Sequence, residues 1–374
     1  MKTLLTILSA RASYSRVRSV LFALKAASNI DSRILLVASA ASPKYGKLQQ
    51  YLEDDLLKVD WKVESQHDAS TESSMVRTTS STMLGIADYV VNNHVDGMLI
   101  VADRHETVAG SITSSYMNKT TFHIQGGEIT GNIDQKVRYA NTFLSDYHFV
   151  STLSAKKRLE SCGIKSENVF NTGCPSLDLI IESSSHKNNS VERFLGGVGM
   201  ASSKVLESKY VVVLQHSETT SAVSARNQIK ATIDAVDKLG LPALWIWPNS
   251  DSGSDDVVRE ISRARESKKL NQVHFERSII PEAFLSILKN AICIVGNSSV
   301  AIRECSKLGI PAVNIGGRQR DRERSINVID VNFDSEEILE AILHQIKHGA
   351  YESSNLYGDG QSGSRIAKLI GNLL

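Results

Sequence analysis

Short runs rich in Val, Ile and Leu alternate along the chain with stretches whose apolar residues recur at helical spacing. The runs predicted as strands are LLTIL, SRILLVAS, DGMLIVAD, TFHIQ, YHFVST, YVVVLQH, ALWIWPN, VHFERS, ICIVGN, PAVNIG and INVIDV. The stretches predicted as helices include SRVRSVLFALKAA, AKKRLESCG, SEEILEAILHQIKHG and RIAKLIGNLL. This alternation predicts an α/β protein whose parallel strands are joined by crossover helices.

The alternation is interrupted once, between about residues 181 and 209, where the chain is polar and glycine-rich. We interpret this segment as a linker with one short helix and no strand. The break predicts two doubly wound, Rossmann-like domains, residues 1–180 and 205–355. Residues 356–374 then form a terminal helix that we expect to pack back on the first domain.

The first residues, MKTLLTILSARAS, imitate a secretory signal, but the apolar run is short and Arg11 occupies the supposed cleavage region. A first core strand is the better interpretation. No segment approaches the ~20 apolar residues that span a bilayer. We therefore expect a soluble, cytoplasmic protein without a membrane partner.

Charge and cysteine content narrow the functional classes further. The 42 basic and 41 acidic side chains are interspersed and give a net charge of +1, which argues against a nucleic-acid partner. The four cysteines show no CxxC or Cys/His spacing, which argues against a zinc site and a disulfide framework. We expect a reducing compartment and a homo-oligomer, either a dimer or a tetramer.

Polar side chains follow many of the predicted strands. Parallel sheets bind ligands beyond the carboxyl ends of their strands, so these residues should converge. If the two sheets face each other, these polar residues line one interdomain cleft. The residues are Arg11, Asp103, Arg104, Gln125 and Glu128 in the first half and His216, Asn249, Ser298 and Ser299 in the second.

The segment GNSSVAIREC, residues 296–305, ends a predicted strand and begins a predicted helix. Free N–H groups at Ser298 and Ser299 suit a phosphate or diphosphate, and Glu304 is placed to accept hydrogen bonds from ribose hydroxyls. An ordinary serine N-cap is the alternative. The arginines of GGRQRDRERS, residues 316–325, either clamp phosphates or form a solvated loop.

Seven motifs in order resemble the hydrolysing UDP-N-acetylglucosamine 2-epimerases: SARASYSRVRS, ADRHETVAG, HIQGGEITGNIDQKVRYA, LQHSETT, PNSDSGS, GNSSVAIREC and GIPAVNIGGRQRDRERSINVID. The non-hydrolysing branch instead has HVEAGLR-like and HRRE-like runs. The resemblance implies a GT-B fold with the sugar on the first domain and UDP on the second. It also implies release of UDP and a 2-epimeric free sugar, with water as co-substrate and with no metal or nicotinamide cofactor.

The resemblance also implies roles for individual side chains. Asp103, Asp134 and His216 match the acid/base positions, and Glu128 is either catalytic or sugar-binding. The alternatives are that Asp103 caps a helix near His105, that Asp134 forms a surface pair with Arg138, and that His216 is structural.

Further residues match substrate-binding positions of the family. Arginine suits phosphate because its planar fork grips two oxygens at once. The implied UDP and substrate contacts are Arg11, Arg104, Gln125, Arg138, Asn249, Ser298, Ser299, Glu304 and Arg318.

Four places depart from the family pattern. Ser13 replaces the aspartate of RADY, Gln125 the first glutamate of HIEGGE, and Tyr139 the histidine of IRHA, and residues 215–220 are QHSETT where QHPVTT is common. Glutamine cannot act as a base. These departures leave open a UDP-diacetamido sugar as substrate, a GT-B glycosyltransferase, and a nucleotide-sugar-binding protein without turnover.

Overall fold

The computed structural model describes residues 1–45, 48–67, 71–131, 133–182, 195–248, 252–277 and 279–374. The chain forms two compact units. Unit 1 contains Met1–Glu128, Ile133–Ile181 and Tyr357–Leu374, and unit 2 contains Ile129–Asn132 and Glu182–Leu356.

Fourteen strands are present in the described part of the chain. They are β1 (Lys2–Leu8), β2 (Ile30–Val37), β3 (Trp61–Val63), β4 (Gly97–Val101), β5 (Thr120–Ile124), β6 (Tyr147–Val150), β7 (Val169–Asn171), β8 (Val198–Gly199), β9 (Val211–Leu214), β10 (Ala243–Ile246), β11 (Val273–Glu276), β12 (Cys293–Gly296), β13 (Ala312–Ile315) and β14 (Val328–Val331).

The α-helices of the same residues are α1 (Arg11–Ser15), α2 (Arg18–Ala26), α3 (Leu48–Asp54), α4 (Glu72–Asn92), α5 (Thr107–Tyr116), α6 (Ile133–Phe143), α7 (Leu153–Ser161), α8 (Asp178–Glu182), α9 (Ser202–Leu206), α10 (Ala225–Leu239), α11 (Ser254–Glu266), α12 (Pro281–Asn290), α13 (Glu304–Leu308), α14 (Ser335–His348) and α15 (Ser362–Leu373). None of them combines the length and the apolar composition needed to cross a membrane.

Each unit contains one seven-stranded sheet. The strand order is β3-β2-β1-β4-β5-β6-β7 in unit 1, and all pairs are parallel. The order is β14-β13-β12-β9-β10-β11-β8 in unit 2, where only the short β8 is antiparallel to its neighbour among the described strands. The order changes direction between β1 and β4 and between β9 and β12. Ligands of doubly wound sheets bind at such switch points.

The central strands are buried on both faces, as parallel strands covered by helices must be. All five residues of β4 and all four residues of β9, β10 and β12 are buried. This burial explains why their sequences are apolar runs without alternation. All eleven predicted strands are confirmed, and so is the α/β class with two doubly wound parallel sheets.

Three short strands at or near the sheet edges were missed. β3 and β7 have three residues each and β8 has two, which is too short for a periodic signal. Within the segment interpreted as a linker, α9 confirms the predicted short helix, but the prediction of no strand there was wrong because of β8. Residues 183–194 lie outside the described residues.

The C-terminal segment is part of unit 1. Ile366 and Ile370 of α15 have no exposed surface and join the core that contains α2. The carboxylate of Asp178 accepts hydrogen bonds from the backbone N–H groups of Ser362 (3.0 Å) and Gly363 (2.6 Å) at the start of α15. These bonds satisfy two N–H groups that a helix N-terminus leaves open.

Candidate active site

In unit 1, Asp103 lies two residues after the end of β4, at the switch point, and the residue is 5% exposed. Its Oδ1 accepts a hydrogen bond from Arg16 Nη1 at 3.1 Å, and its Oδ2 is paired with Arg138 Nη2. Arg138 is also buried, and its Nη1 donates to the carbonyl oxygen of Glu128 at 2.8 Å. Two guanidinium groups therefore hold one buried carboxylate and favour its charged form.

These contacts decide two of the alternatives. Helix α5 has Glu106 at its N-cap position, so the interpretation of Asp103 as the cap of that helix was wrong. The interpretation of Arg138 as part of a surface pair was also wrong, because Arg138 is 1% exposed, and its guanidinium is ion-paired with Asp103. Asp134 lies half-buried in the first turn of α6.

The backbone immediately before Asp103 has an unusual conformation. Ala102 has a φ of +61°, in the left-handed region that non-glycine residues avoid. Its carbonyl oxygen accepts hydrogen bonds from His123 Nε2 (2.9 Å) and Asn141 Nδ2 (3.2 Å). All three residues are buried.

The imidazole of His123 is neutral at ordinary pH. Burial lowers its pKa to about 4, against the opposing effects of the bond to Ala102 and of the charge on Glu128. Because a carbonyl oxygen only accepts, the proton must be on Nε2. Nδ1 then accepts from Thr142 Oγ1 at 3.2 Å.

The two predicted phosphate-binding arginines of unit 1 are half-buried. Arg11 is the first residue of α1. Arg104 Nε donates to Glu106 Oε1 at 2.6 Å. Burial alone would raise the pKa of Glu106, but the charges of Arg104 and His105 and their hydrogen bonds lower it well below its usual range. The sequence did not reveal Glu106 as a partner.

The loop after β5 contains Gln125 and Glu128, both buried. Gln125 has a φ of +65°, and its Nε2 donates to Cys174 Sγ at 3.1 Å. Its Oε1 is buried and has no hydrogen-bond partner within the described residues. A Cβ at Gly127 would lie 2.6 Å from the Ala155 carbonyl oxygen, so packing against α7 explains the glycine at this position.

In unit 2, the ends of β9 and β12 are joined around His216. Asn297 Oδ1 accepts from the His216 backbone N–H at 2.8 Å, and Asn297 Nδ2 donates to the His216 carbonyl at 2.9 Å. Asn297 is fully buried and His216 is 6% exposed. This reciprocal pair fixes the backbone of His216 at the switch point.

The sequence predicted a helix that begins at Ser298 and Ser299, but the segment after β12 first forms a short 3₁₀ turn. Ser298 caps a single 3₁₀ turn, Ser299–Ala301, and α13 begins only at Glu304. Ser298 Oγ accepts from the Val300 N–H at 3.4 Å, as the N-cap alternative described. Glu304 Oε2 is buried without a hydrogen-bond partner among the described residues, so it has a free acceptor for a donor from a ligand.

The arginine-rich loop after β13 contacts the residue that holds His216. We call His216, Asn297, Arg318 and Gln319 the unit 2 cluster. Arg318 Nη1 and Gln319 Nε2 donate to the Asn297 carbonyl oxygen at 3.3 Å and 2.9 Å. Glu218 Oε2, from the loop after β9, accepts from the Gly317 N–H at 2.8 Å. The purely solvated alternative for this loop therefore does not describe its first half. Asn249 lies outside the described residues.

Each unit thus has the strand order of nucleotide-binding α/β enzymes and places charged side chains at its switch point. The chain belongs to the UDP-N-acetylglucosamine 2-epimerase family, whose model matches residues 22–371. It is an enzyme of that family, as the sequence motifs predicted.

The relatives cover nearly the whole chain. A UDP-N,N'-diacetylbacillosamine 2-epimerase (hydrolyzing) of Legionella pneumophila is 29% identical, over 99% of this chain and 95% of its own length. A UDP-N-acetylglucosamine 2-epimerase of Neisseria meningitidis is 24% identical, over 100% and 96%. The crystal structure of Methanocaldococcus jannaschii UDP-GlcNAc 2-epimerase in complex with UDP-GlcNAc and UDP is similar with a TM-score of 0.83 and 16% identity, over 99% of both chains.

Proposed function

We propose that this enzyme hydrolyses a UDP-linked 2-acetamido sugar with inversion at C2, releasing UDP and the free 2-epimeric sugar. From UDP-N-acetylglucosamine the product is N-acetylmannosamine. The observation that carries the proposal is the buried Asp103 carboxylate between Arg16 and Arg138 at the switch point of unit 1. The runs HIQGGE and QHSETT and the similarity to a hydrolysing relative support the hydrolysing type.

The reaction has two balanced steps. In the first, a base takes the proton from C2, the C–H electron pair becomes the C1=C2 bond, and the C1–O bond breaks so that its electrons leave with UDP. In the second, water supplies hydroxide to C1 and an acid returns a proton to the opposite face of C2. The sum is substrate plus water giving UDP plus epimer.

We assign the proton transfers at the sugar to residues of unit 1. Asp103 is the first choice because it is buried, ion-paired and fixed at a strand end. Asp134 and Glu128 are the further candidates, since both belong to segments adjoining Arg138. A carboxylate whose orientation is fixed by its neighbours is an effective base, because its side chain does not have to move before it takes the proton.

We assign the diphosphate and the ribose to residues that include the cluster of unit 2. His216 would donate to the leaving phosphate, which lowers the energy of the developing charge. Glu304 would accept from ribose through its unpartnered Oε2. The remaining assigned substrate contacts are Ser298, Ser299, Arg318, Arg11, Arg104, Gln125, Asn249 and Arg138.

The substrate has two candidates, because relatives named for UDP-N-acetylglucosamine and for a UDP-diacetamido sugar both match over the whole chain. The relative named for the diacetamido sugar has the higher identity of the two, 29% against 24%. We therefore propose that UDP-diacetamido sugars be assayed beside UDP-N-acetylglucosamine, with the ratio of kcat/KM values deciding the preference.

The deciding experiment is proton NMR in deuterated water with either UDP sugar and no acceptor. We expect UDP release and deuterium at C2 of the released sugar. Asp103→Asn should reduce turnover by at least ~100-fold while UDP still binds, because the amide cannot take a proton, although its oxygen can still accept a hydrogen bond from an arginine. The thermal midpoint checks that the variant stays folded without the charge that pairs with Arg16 and Arg138. Asp88→Asn, at an exposed position of α4, is the matched control and should not change turnover.

The alternatives predict other outcomes of the same experiment. A glycosyltransferase would release UDP only when an acceptor is added and would leave C2 protonated. A binding protein without turnover would bind the UDP sugar in calorimetry and release no UDP. Either result would end the proposal of a hydrolysing epimerase.

A further inference from the structure

We propose that Asn141 and His123 are positioning residues, which aim the Asp103 carboxylate by holding the Ala102 carbonyl in a left-handed backbone turn. The inference rests on the proposed function, because it gives Asp103 the proton transfer. It adds two residues that touch neither substrate nor the reacting atoms.

The backbone of Ala102 is the first argument. A non-glycine residue at φ +61° costs roughly 1–2 kcal/mol relative to a right-handed conformation. Such conformations persist only where the surroundings over-determine them, and they cluster at functional sites. The strained residue here is the immediate neighbour of Asp103 and follows the last residue of β4 directly.

The donors to this carbonyl are the second argument. Either His123 or Asn141 alone would satisfy the buried oxygen, yet both donate to it, at 2.9 Å and 3.2 Å. Asn141 also donates to Thr107 Oγ1 at 2.7 Å and accepts from Ser111 Oγ at 2.9 Å. Its amide therefore ties α5, α6 and the end of β4 into one network.

The placement of Asn141 on α6 is the third argument. Arg138 and Asn141 are three residues apart, so they project from the same face of the helix. Arg138 holds the side chain of Asp103, and Asn141 holds the peptide group that precedes it. One helix thus fixes both ends of the residue, which sets the direction of its carboxylate.

The test compares variants that differ in the donor but not in burial. His123→Leu removes the donor, whereas His123→Gln keeps an N–H at about the same place as Nε2. Asn141→Leu removes the second donor. Lys136→Ala, at an exposed position of α6, is the control. For each variant we would measure the thermal midpoint, kcat and KM for UDP release, C2 deuterium incorporation, and the Kd for UDP.

We expect His123→Leu and Asn141→Leu to lower kcat and C2 exchange by about 10- to 100-fold, because misplacement of about 1 Å costs that much. KM and the Kd for UDP should stay within about twofold, since no substrate contact is removed. His123→Gln should restore most of kcat, and Lys136→Ala should match the wild type.

Ala102→Gly keeps the test decisive if the leucine variants do not fold. Glycine accepts a positive φ without strain, so this variant should fold at least as stably as the wild type. A loosened Asp103 should nevertheless lower its kcat by about tenfold at unchanged KM. If the folded variants His123→Leu, Asn141→Leu and Ala102→Gly all had the kcat of the wild type, the positioning role would be overturned, but the proposed function would not. A wild-type enzyme without UDP release or C2 exchange would overturn the proposed function itself.

Discussion

Gly296 shows how one residue sets the spacing of the unit 2 cluster. Its φ is +135°, and a Cβ at this position would lie 2.2 Å from the Leu214 carbonyl oxygen of β9. Real side chains do not approach a carbonyl oxygen so closely, so only glycine lets β12 end beside β9 here. The next residue, Asn297, can then hold His216 from both sides.

We predict that Gly296→Ala destabilises unit 2 by about 2–4 kcal/mol, because steric overlap with backbone adds to the strain of the dihedral angle. Gly240→Ala is the matched control. Gly240 also has a positive φ, +66°, but a Cβ added there would have no atom within 4 Å. Its cost should be about 1 kcal/mol.

Chemical denaturation of the two glycine variants, followed by Trp fluorescence, measures this difference, since Trp245 is buried in the unit 2 core. Equal losses in both variants would show that the close approach to Leu214 contributes nothing. The Gly296→Ala variant should also lose turnover, because the His216 backbone moves with the strand end.

At the scale of elements, β5 and β6 bring two buried histidines together. His123 and His148 are directly paired across the two parallel strands. Burial lowers the pKa of His148 to about 3, and the neighbouring His123 adds to the effect. His148 Nδ1 has no hydrogen-bond partner in the described part of the chain. Both rings are therefore neutral in the folded protein above about pH 4.

We predict that unit 1 loses stability as the pH falls from about 6.5 to 4. Unfolded histidines take up a proton near pH 6.5, whereas the folded ones resist until about pH 4 or below. Within this window the unfolded state binds more protons, so stability rises with pH and is fully present above about 6.5. For His123 the lowered pKa corresponds to a change of roughly 3 kcal/mol in the free energy of unfolding across this pH range.

Urea denaturation at a series of pH values measures the effect. His148→Phe should reduce the slope between pH 6.5 and 4, because one of the two contributions disappears. His344→Gln, at an exposed position of α14, should leave the slope unchanged. A slope identical in all three proteins would contradict the role of the buried pair.

Local sequence pattern was sufficient for the central strands and insufficient for contacts between distant segments. Buried parallel strands are apolar runs, so β4 and β9 were readable, whereas β3 and β8 are too short to show a period. The motifs also predicted that Asp103 and His216 follow strand ends. Arg138 was assigned to Asp134 because i,i+4 spacing is the relation visible in sequence, but its ion pair joins Asp103, 35 positions away. Arg16 and Asn141 were missed for the same reason.

At the scale of the whole molecule, unit 1 is built from both ends of the chain. The chain leaves it at Ile181 and returns at Tyr357. The return is fixed by the bond from the Cys174 N–H to the Tyr357 carbonyl, 2.8 Å, and by the packing of α15 on α2. The last helix therefore contributes to the core of a unit that begins at residue 1.

We predict that Ile366→Ala or Ile370→Ala destabilises unit 1 by about 2–5 kcal/mol, because each side chain is fully buried in that core. Leu343→Ala, on α14 of unit 2 and 51% exposed, is the control and should change stability by less than ~0.5 kcal/mol.

Hydrogen exchange locates the effect of the α15 substitutions within the chain. Amides of β1 and α2 should exchange faster, while amides of β9 and β12 should not change. Equal acceleration in both units would show that α15 does not act on unit 1 in particular.

The return of the chain at Tyr357 sets an order of events during synthesis. All of unit 2 up to Leu356 is translated before the segment that completes unit 1. Helix α2 must therefore wait, with its apolar surface uncovered, until residues 357–374 have been made. A nascent chain of this enzyme therefore exposes a binding surface for chaperones until α15 has been made and can pack on α2.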